Sequence, residues 1–130
     1  MDTLPRISEA EWSVMEVVWQ KAPRTANEIV EALHGATRWN PKTVKTLINR
    51  LLNKGALIYE LAGRTYLYSP AVAREQMEHR LVGGLIESAF KGSAHRLILR
   101  ALESGETTRE ELDAIKALIA AYETKGEEAP

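Results

Sequence analysis

Six cations, Arg38, Lys42, Lys45, Arg50, Lys54 and Arg64, fall within 27 residues that hold a single anion, Glu60. Thr43, Thr46 and Asn49 lie among them. Ammonium and guanidinium groups neutralise phosphates, while hydroxyl and amide groups pair with base edges. This residue set is suited to a polyanion. The whole chain is not basic, with a net charge of −1 over 130 residues. From Leu81 onward six Lys or Arg face nine Asp or Glu. A basic middle followed by an acidic C-terminal third implies a polyanion-binding surface joined to a part with another task.

A helix over Asn40–Gly55 must position these groups. Asn40 is a good cap, Pro41 suits the first helical position, and Gly55 supplies a left-handed end. At about 100° per residue, Val44, Leu47, Ile48, Leu51 and Leu52 fall on one side. Lys42, Lys45, Thr46, Asn49 and Asn53 fall on the other. Upstream, Ser8 to Glu11 and Thr25 to Glu28 have capping-box spacing and open two further helices. Ile7 and Trp12 have the spacing of a hydrophobic staple. Trp12, Met15, Val18 and Trp19 supply core positions, as do Ile29, Val30 and Leu33. Lys21-Ala22-Pro23-Arg24 separates the two helices, and His34-Gly35 closes the second. The first turn of the second helix, at Thr25, exposes N–H groups that can hold a phosphate.

Beyond Gly55, Ala56–Leu61 and Thr65–Ser69 read as a β-hairpin with Arg64 at its tip, ended by Pro70. Helix, helix, helix, hairpin is the order of a winged helix-turn-helix. The predicted fold is therefore mainly α with a small β-hairpin. A winged-helix DNA-binding domain spans 1–70, a helical dimerisation region 71–126, and a disordered tail 127–130. The candidate DNA contacts are Thr25, Arg38, Asn40, Lys42, Thr43, Lys45, Thr46, Asn49, Arg50, Arg64 and Tyr66.

From about Ala71 the chain reads as helix again. Met77, Leu81, Leu85, Ile86 and Phe90 recur at helical spacing, with Gly83-Gly84 allowing a close helix crossing. Leu97 and Leu102 mark a short helix. A third capping box at Thr108–Glu111 opens a last one with Leu112, Ile115, Ile119 and Tyr122. These stripes need a partner surface, and a second copy of the chain supplies one. A two-fold dimer would present two recognition helices to a palindrome, about one DNA turn apart or a multiple of it.

With no cysteine, disulfides, thiolate zinc sites and cysteine nucleophiles are excluded, which suits a reducing cytoplasm. No metal-ligand cluster, phosphate-binding glycine loop or catalytic triad spacing is present, so neither an enzyme nor a cofactor is expected. His34, His79 and His95 are isolated. No run has the length of a membrane span, and Met1–Ile7 is not a signal peptide. The rival reading from another class is a winged-helix module that binds protein without DNA. The clustered Lys42, Lys45, Arg50 and Arg64 oppose it.

Ile7-Ser8-Glu9-Ala10-Glu11-Trp12-Ser13-Val14-Met15, Trp19 and Thr25–Val30 resemble a known family. Lys42–Leu51 and Tyr66-Leu67-Tyr68-Ser69 carry the same likeness. It is that of the penicillinase and methicillin-resistance repressors with their copper-responsive relatives, the BlaI/MecI/CopY group. The resemblance implies a homodimeric repressor that covers a double-stranded DNA operator, with Lys42, Thr43, Lys45, Thr46 and Arg50 meeting the DNA. It implies control of β-lactamase or other stress-response genes. In the antibiotic-responsive branch a membrane sensor protease acts indirectly, through a cut in the fifth helix that breaks the dimer. That position falls near Arg100-Ala101 here, where the residues differ from the Asn-Phe pair of that branch. The copper branch's C-terminal cysteine cluster has no counterpart.

Overall fold

The computed structural model describes residues 4–128. Six helices and one antiparallel hairpin follow in the order α1 (Glu9–Gln20), α2 (Ala26–His34), α3 (Pro41–Lys54), β1 (Leu57–Ala62), β2 (Thr65–Pro70), α4 (Arg74–Ser88), α5 (Ala94–Glu103) and α6 (Arg109–Glu128). Two compact units form, one ending at Arg80 and the other beginning at Leu81.

The first unit is a winged helix. Its helix starts are fixed locally by side chains that satisfy the free N–H groups of each first turn. The Ser8 hydroxyl accepts from the Glu11 N–H at 3.2 Å, and the Glu11 carboxylate accepts from the Ser8 N–H at 2.8 Å. Thr25 and Glu28 form the same reciprocal pair. The Thr25 N–H donated to it, and next the nearby Thr25 hydroxyl, hold the Glu28 carboxyl below the ordinary carboxylate pKa. Against these starts, apolar faces of α1, α2 and α3 close a core of Val14, Met15, Val18, Ile29, Leu33, Val44, Leu47, Ile48 and Leu51, capped by Leu57 and Tyr68 from the hairpin. Trp12 and Trp19 are half-buried, edge to face at 5.2 Å. The Trp19 indole N–H donates to the Val72 carbonyl at 2.9 Å.

Gly55 ends α3 at φ 81°, and the Ala56 N–H returns to the Leu51 carbonyl at 2.9 Å. Ala56 is therefore spent on the helix end, and β1 starts one residue later than the residue pattern predicts. The hairpin turn is also tighter. Ala62 pairs with Thr65, leaving only Gly63-Arg64 in the loop. Gly63 at φ 67° takes the first position of a two-residue turn, where a positive φ suits the strand twist. A one-residue third strand completes the sheet: Arg24 and Tyr68 exchange backbone hydrogen bonds of 3.0 and 2.7 Å.

The expected boundary after Pro70 differs from the one observed. The Ala71 N–H donates to the Ala56 carbonyl at 2.8 Å, Met77 is buried, and Arg80 donates to the carbonyls of Leu4 and Pro5. The first turns of α4 thus belong to the winged-helix unit. α4 also begins at Arg74 rather than near Ala71.

In the second unit, Thr108 supplies the hydroxyl half of its capping box, accepting from the Glu111 N–H at 3.1 Å. α6 runs through Gly126 to Glu128, past the expected start of the tail. One glycine costs about 1 kcal/mol against alanine, a penalty a terminal turn tolerates. Ala129 and Pro130, the rest of that expected tail, lie outside the described residues. No residue with a described side chain is buried from Leu81 onward.

Candidate nucleic-acid interface

The 14-residue α3 is about 21 Å long, and it carries the candidate groups on its exposed face. Lys42, Thr43, Lys45, Thr46, Asn49 and Arg50 are all exposed, while Val44, Leu47, Ile48 and Leu51 are buried behind them. A helix of this width fits the major groove, which is about 12 Å across.

The polar groups on this face are held in set orientations. Asn40 Oδ1 accepts from the Thr43 N–H at 2.9 Å and from the Thr43 hydroxyl at 3.1 Å. The Asn40 amide NH2 is left free to donate outward. The Thr46 hydroxyl donates to the Lys42 carbonyl at 2.9 Å, so it presents lone pairs to an incoming donor such as a base amino group. Among the described residues, Lys42, Lys45, Arg38, Arg50 and Arg64 form no ion pair, so their charges are available to phosphates.

The candidate Thr25, and Lys54 of the basic run, stand apart from the groups on the α3 face. Thr25 caps α2, where its hydroxyl oxygen accepts from the Glu28 N–H, and it stands beside first-turn N–H groups that can meet a phosphate. Lys54 is turned inward, donating to Glu11 Oε1 at 2.6 Å and to the Arg6 carbonyl at 2.9 Å. It belongs to the basic run by sequence and to the core support by structure. Burial works to raise the Glu11 pKa, but the hydrogen bonds from Lys54 and Ser8 and the Lys54 charge outweigh it. The carboxyl is held below its ordinary value.

Arg38 is exposed in the connection before α3, Arg64 sits in the hairpin turn, and Tyr66 stands 48% exposed on β2. Sequence pattern singles out Tyr66 but not Tyr59 or Leu61. The strand register puts all three on one face, because Tyr59 pairs with Tyr68 and Leu61 with Tyr66.

The expected pairing residues divide into two groups. Met77 is buried within the chain, as a core residue of the first unit's α4 turn, and so is not available to a partner. Leu81, Leu85, Leu102, Ile115, Ile119 and Tyr122 are exposed, and Ile86, Phe90, Leu97 and Leu112 are half-buried. Arg100 and Ala101 lie exposed on α5. His34, His79 and His95 are exposed, and no cluster of potential metal ligands occurs among the described residues. No helix of the described residues is long and apolar enough to cross a membrane.

Comparison with known proteins bears on this geometry. The penicillinase repressor family model matches residues 7–121. The chain is 27% identical to a penicillinase repressor of Bacillus licheniformis, over 98% of this chain and 100% of that one. It is 29% identical to the methicillin resistance regulatory protein MecI of Mammaliicoccus sciuri, over 87% of this chain and 92% of that one. Among solved structures it is similar to the DNA-binding domain of the repressor BlaI, with 38% identity and a TM-score of 0.51 over 57% of this chain and 90% of that one. It is also similar to the Bacillus licheniformis BlaI monomer in complex with the blaP half-operator. There the identity is 37% and the TM-score 0.52, over 58% of this chain and 92% of that one. The winged helix with its exposed basic α3, matched by a family model over nearly the whole length, places this chain in the penicillinase repressor family.

Proposed function

We propose that this chain is a DNA-binding transcriptional repressor that acts as a homodimer on a palindromic operator. The observation that carries the reading is the outward face of α3, with its unpaired Lys42 and Lys45 flanking Thr46. Phosphate contacts from the lysines, Arg38 and Arg50 set the register, while Thr46 and Asn49 reach base edges. Repression follows from occupancy of the promoter. As a member of a repressor family the chain is a regulator, not an enzyme.

The second unit supports the dimer. Its described side chains include exposed Leu81, Leu85, Leu118, Ile119 and Tyr122, yet none is buried. Helices with apolar faces of this kind gain stability by covering them, and a second copy covers them symmetrically. A methyl group added at Gly83 or Gly84 would meet nothing within 4 Å, which leaves room for a crossing helix. Loss of the dimer, by a cut near Arg100-Ala101 or by another route, would release the operator, since one subunit holds one half-site without avidity.

Sedimentation equilibrium with gel-shift titration tests this. The full chain is expected to sediment as a dimer. The variant Leu85→Glu with Ile119→Glu is expected to sediment as a monomer and to bind duplex from its own genome at least about tenfold more weakly. A monomeric wild-type chain with full affinity contradicts the dimer. Failure of the wild type to bind any genomic duplex favours a protein-binding module instead.

A further inference from the structure

The first turns of α4 are held on the winged helix from three directions. Met77 is buried, and Arg74 and Arg80 flank it in the sequence. At 3.6 residues per turn each arginine stands about 60° from Met77 around the helix, on opposite sides. Arg74 faces α1. Its guanidinium donates to the Glu16 carboxylate at 3.2 Å and lies 5.8 Å from the centre of the Trp19 ring. It also donates to Glu78 on its own helix at 3.3 Å. The Trp19 indole in turn donates to the Val72 carbonyl, so one ring meets both Arg74 and the chain just before α4. Arg80 faces the N-terminal segment and donates to the carbonyls of Leu4 and Pro5. The next carbonyl, that of Arg6, accepts from Lys54 in the last turn of α3. Residues 4–6 thus tie α4 to the end of the basic helix. Met77 alone would let α4 roll about its own axis, and contacts on both flanks oppose that roll. Arg74 and Glu16 are both 44% exposed, and a pair this open to water adds little stability, so its effect is chiefly on direction.

We propose that Arg74 and Arg80 are positioning residues, which fix the direction in which α4 leaves the winged helix and so select the half-site spacing that a dimer accepts. This rests on the dimeric, operator-binding reading above. The exposed stripe of α4 begins at Leu81, one residue beyond Arg80, so the roll of the gripped turns decides which way the stripe starts. One base pair added between two half-sites moves them about 3.4 Å apart and turns one about 35° relative to the other. A helix gripped on both flanks resists that change, whereas one seated on Met77 alone can roll to follow it.

The test uses the full chain and a genomic duplex that the protein itself retains, its two half-sites located by footprinting. Two derivatives carry one base pair added or removed between the half-sites, and a shorter duplex holds one half-site alone. The wild type is expected to bind the unaltered duplex at least about tenfold more tightly than either derivative, because the wrong spacing forfeits avidity. Arg80→Met and Arg74→Met are each expected to separate the three spacings by less than about threefold. Their affinity for the single half-site is expected to equal that of the wild type, because α3 and its polar face are unchanged. Arg74 is the more open of the two, so its variant tests the role even if loss of Arg80 unfolds the chain. A folded variant that keeps the wild-type spacing preference overturns the role of its arginine. An equal loss on the single half-site overturns it too, since that arginine then only holds the fold, as does a wild-type dimer that accepts all three spacings alike. A wild type that binds the unaltered duplex no more tightly than one half-site overturns the dimeric reading and the positioning role with it.

Discussion

Lys54→Met is expected to destabilise the winged-helix unit by about 3 kcal/mol, the low end of the range for stranding one member of a buried ion pair, because the lysine's side of the pair is open to water. Glu11 is 1% exposed and its Oε2 already lacks a partner, so removal of Lys54 leaves a buried carboxylate held only by Ser8. The reverse change is milder. The Lys54 side chain is 38% exposed and can return to water when Glu11 is replaced. Glu11→Gln is expected to cost about 1.5–3 kcal/mol, the scale of one charge-assisted hydrogen bond. Urea unfolding of the full chain measures both, and equal losses in the two variants would contradict this asymmetry.

The pH dependence gives the pair a signature. The folded Glu11 pKa is lowered, so its contribution is fully present above about pH 4.5 and is lost as pH falls through the depressed value. In Lys54→Met the lowering influences of the lysine are gone and only the Ser8 hydrogen bonds still oppose burial, so the folded pKa rises from its wild-type position. That variant then gains stability on acidification relative to the wild type, and the gap between them narrows as pH falls toward the depressed wild-type value.

The second large effect is on DNA. Lys42→Ala is expected to weaken duplex binding by about 1–3 kcal/mol while leaving stability unchanged, because Lys42 is exposed and unpaired. If a dimer neutralises about eight phosphates, log affinity falls with log salt at a slope near −7. Loss of Lys42 from both copies is expected to reduce that slope by about two. Fluorescence anisotropy across a salt series measures both quantities. Unchanged affinity and slope would remove Lys42 from the interface.

The features legible in the sequence are those decided over three or four residues. Ser8, Thr25 and Asn40 each cap a first turn three residues away, and Gly55 and Gly63 take positive φ where predicted breaks fall. The faces of α3 follow from helical periodicity alone. What escapes depends on distant pairings that leave no local pattern. Lys54 meets Glu11 across 43 residues, and nothing near Lys54 distinguishes it from Lys45. The Arg24–Tyr68 bridge is a single residue wide and has no period to detect. The boundary at Arg80 depends on Met77 and Arg80 reaching back to the first unit, while their spacing continues the stripe of Leu81 and Leu85. Tyr59 is distinguished only by its register opposite Tyr68.

The chain contains no cysteine, so one introduced thiol gives a unique point for attaching a DNA-cutting reagent. Thr46→Cys places it on the outer face of α3, and Asp113→Cys on α6 serves as the comparison. With the reagent at position 46, duplex from the protein's own genome is expected to be cut within each protected half-site, and with the reagent at position 113 those cuts are absent. Equal cutting from both positions, or none from position 46 while the duplex is bound, would contradict α3 as the element that enters the groove.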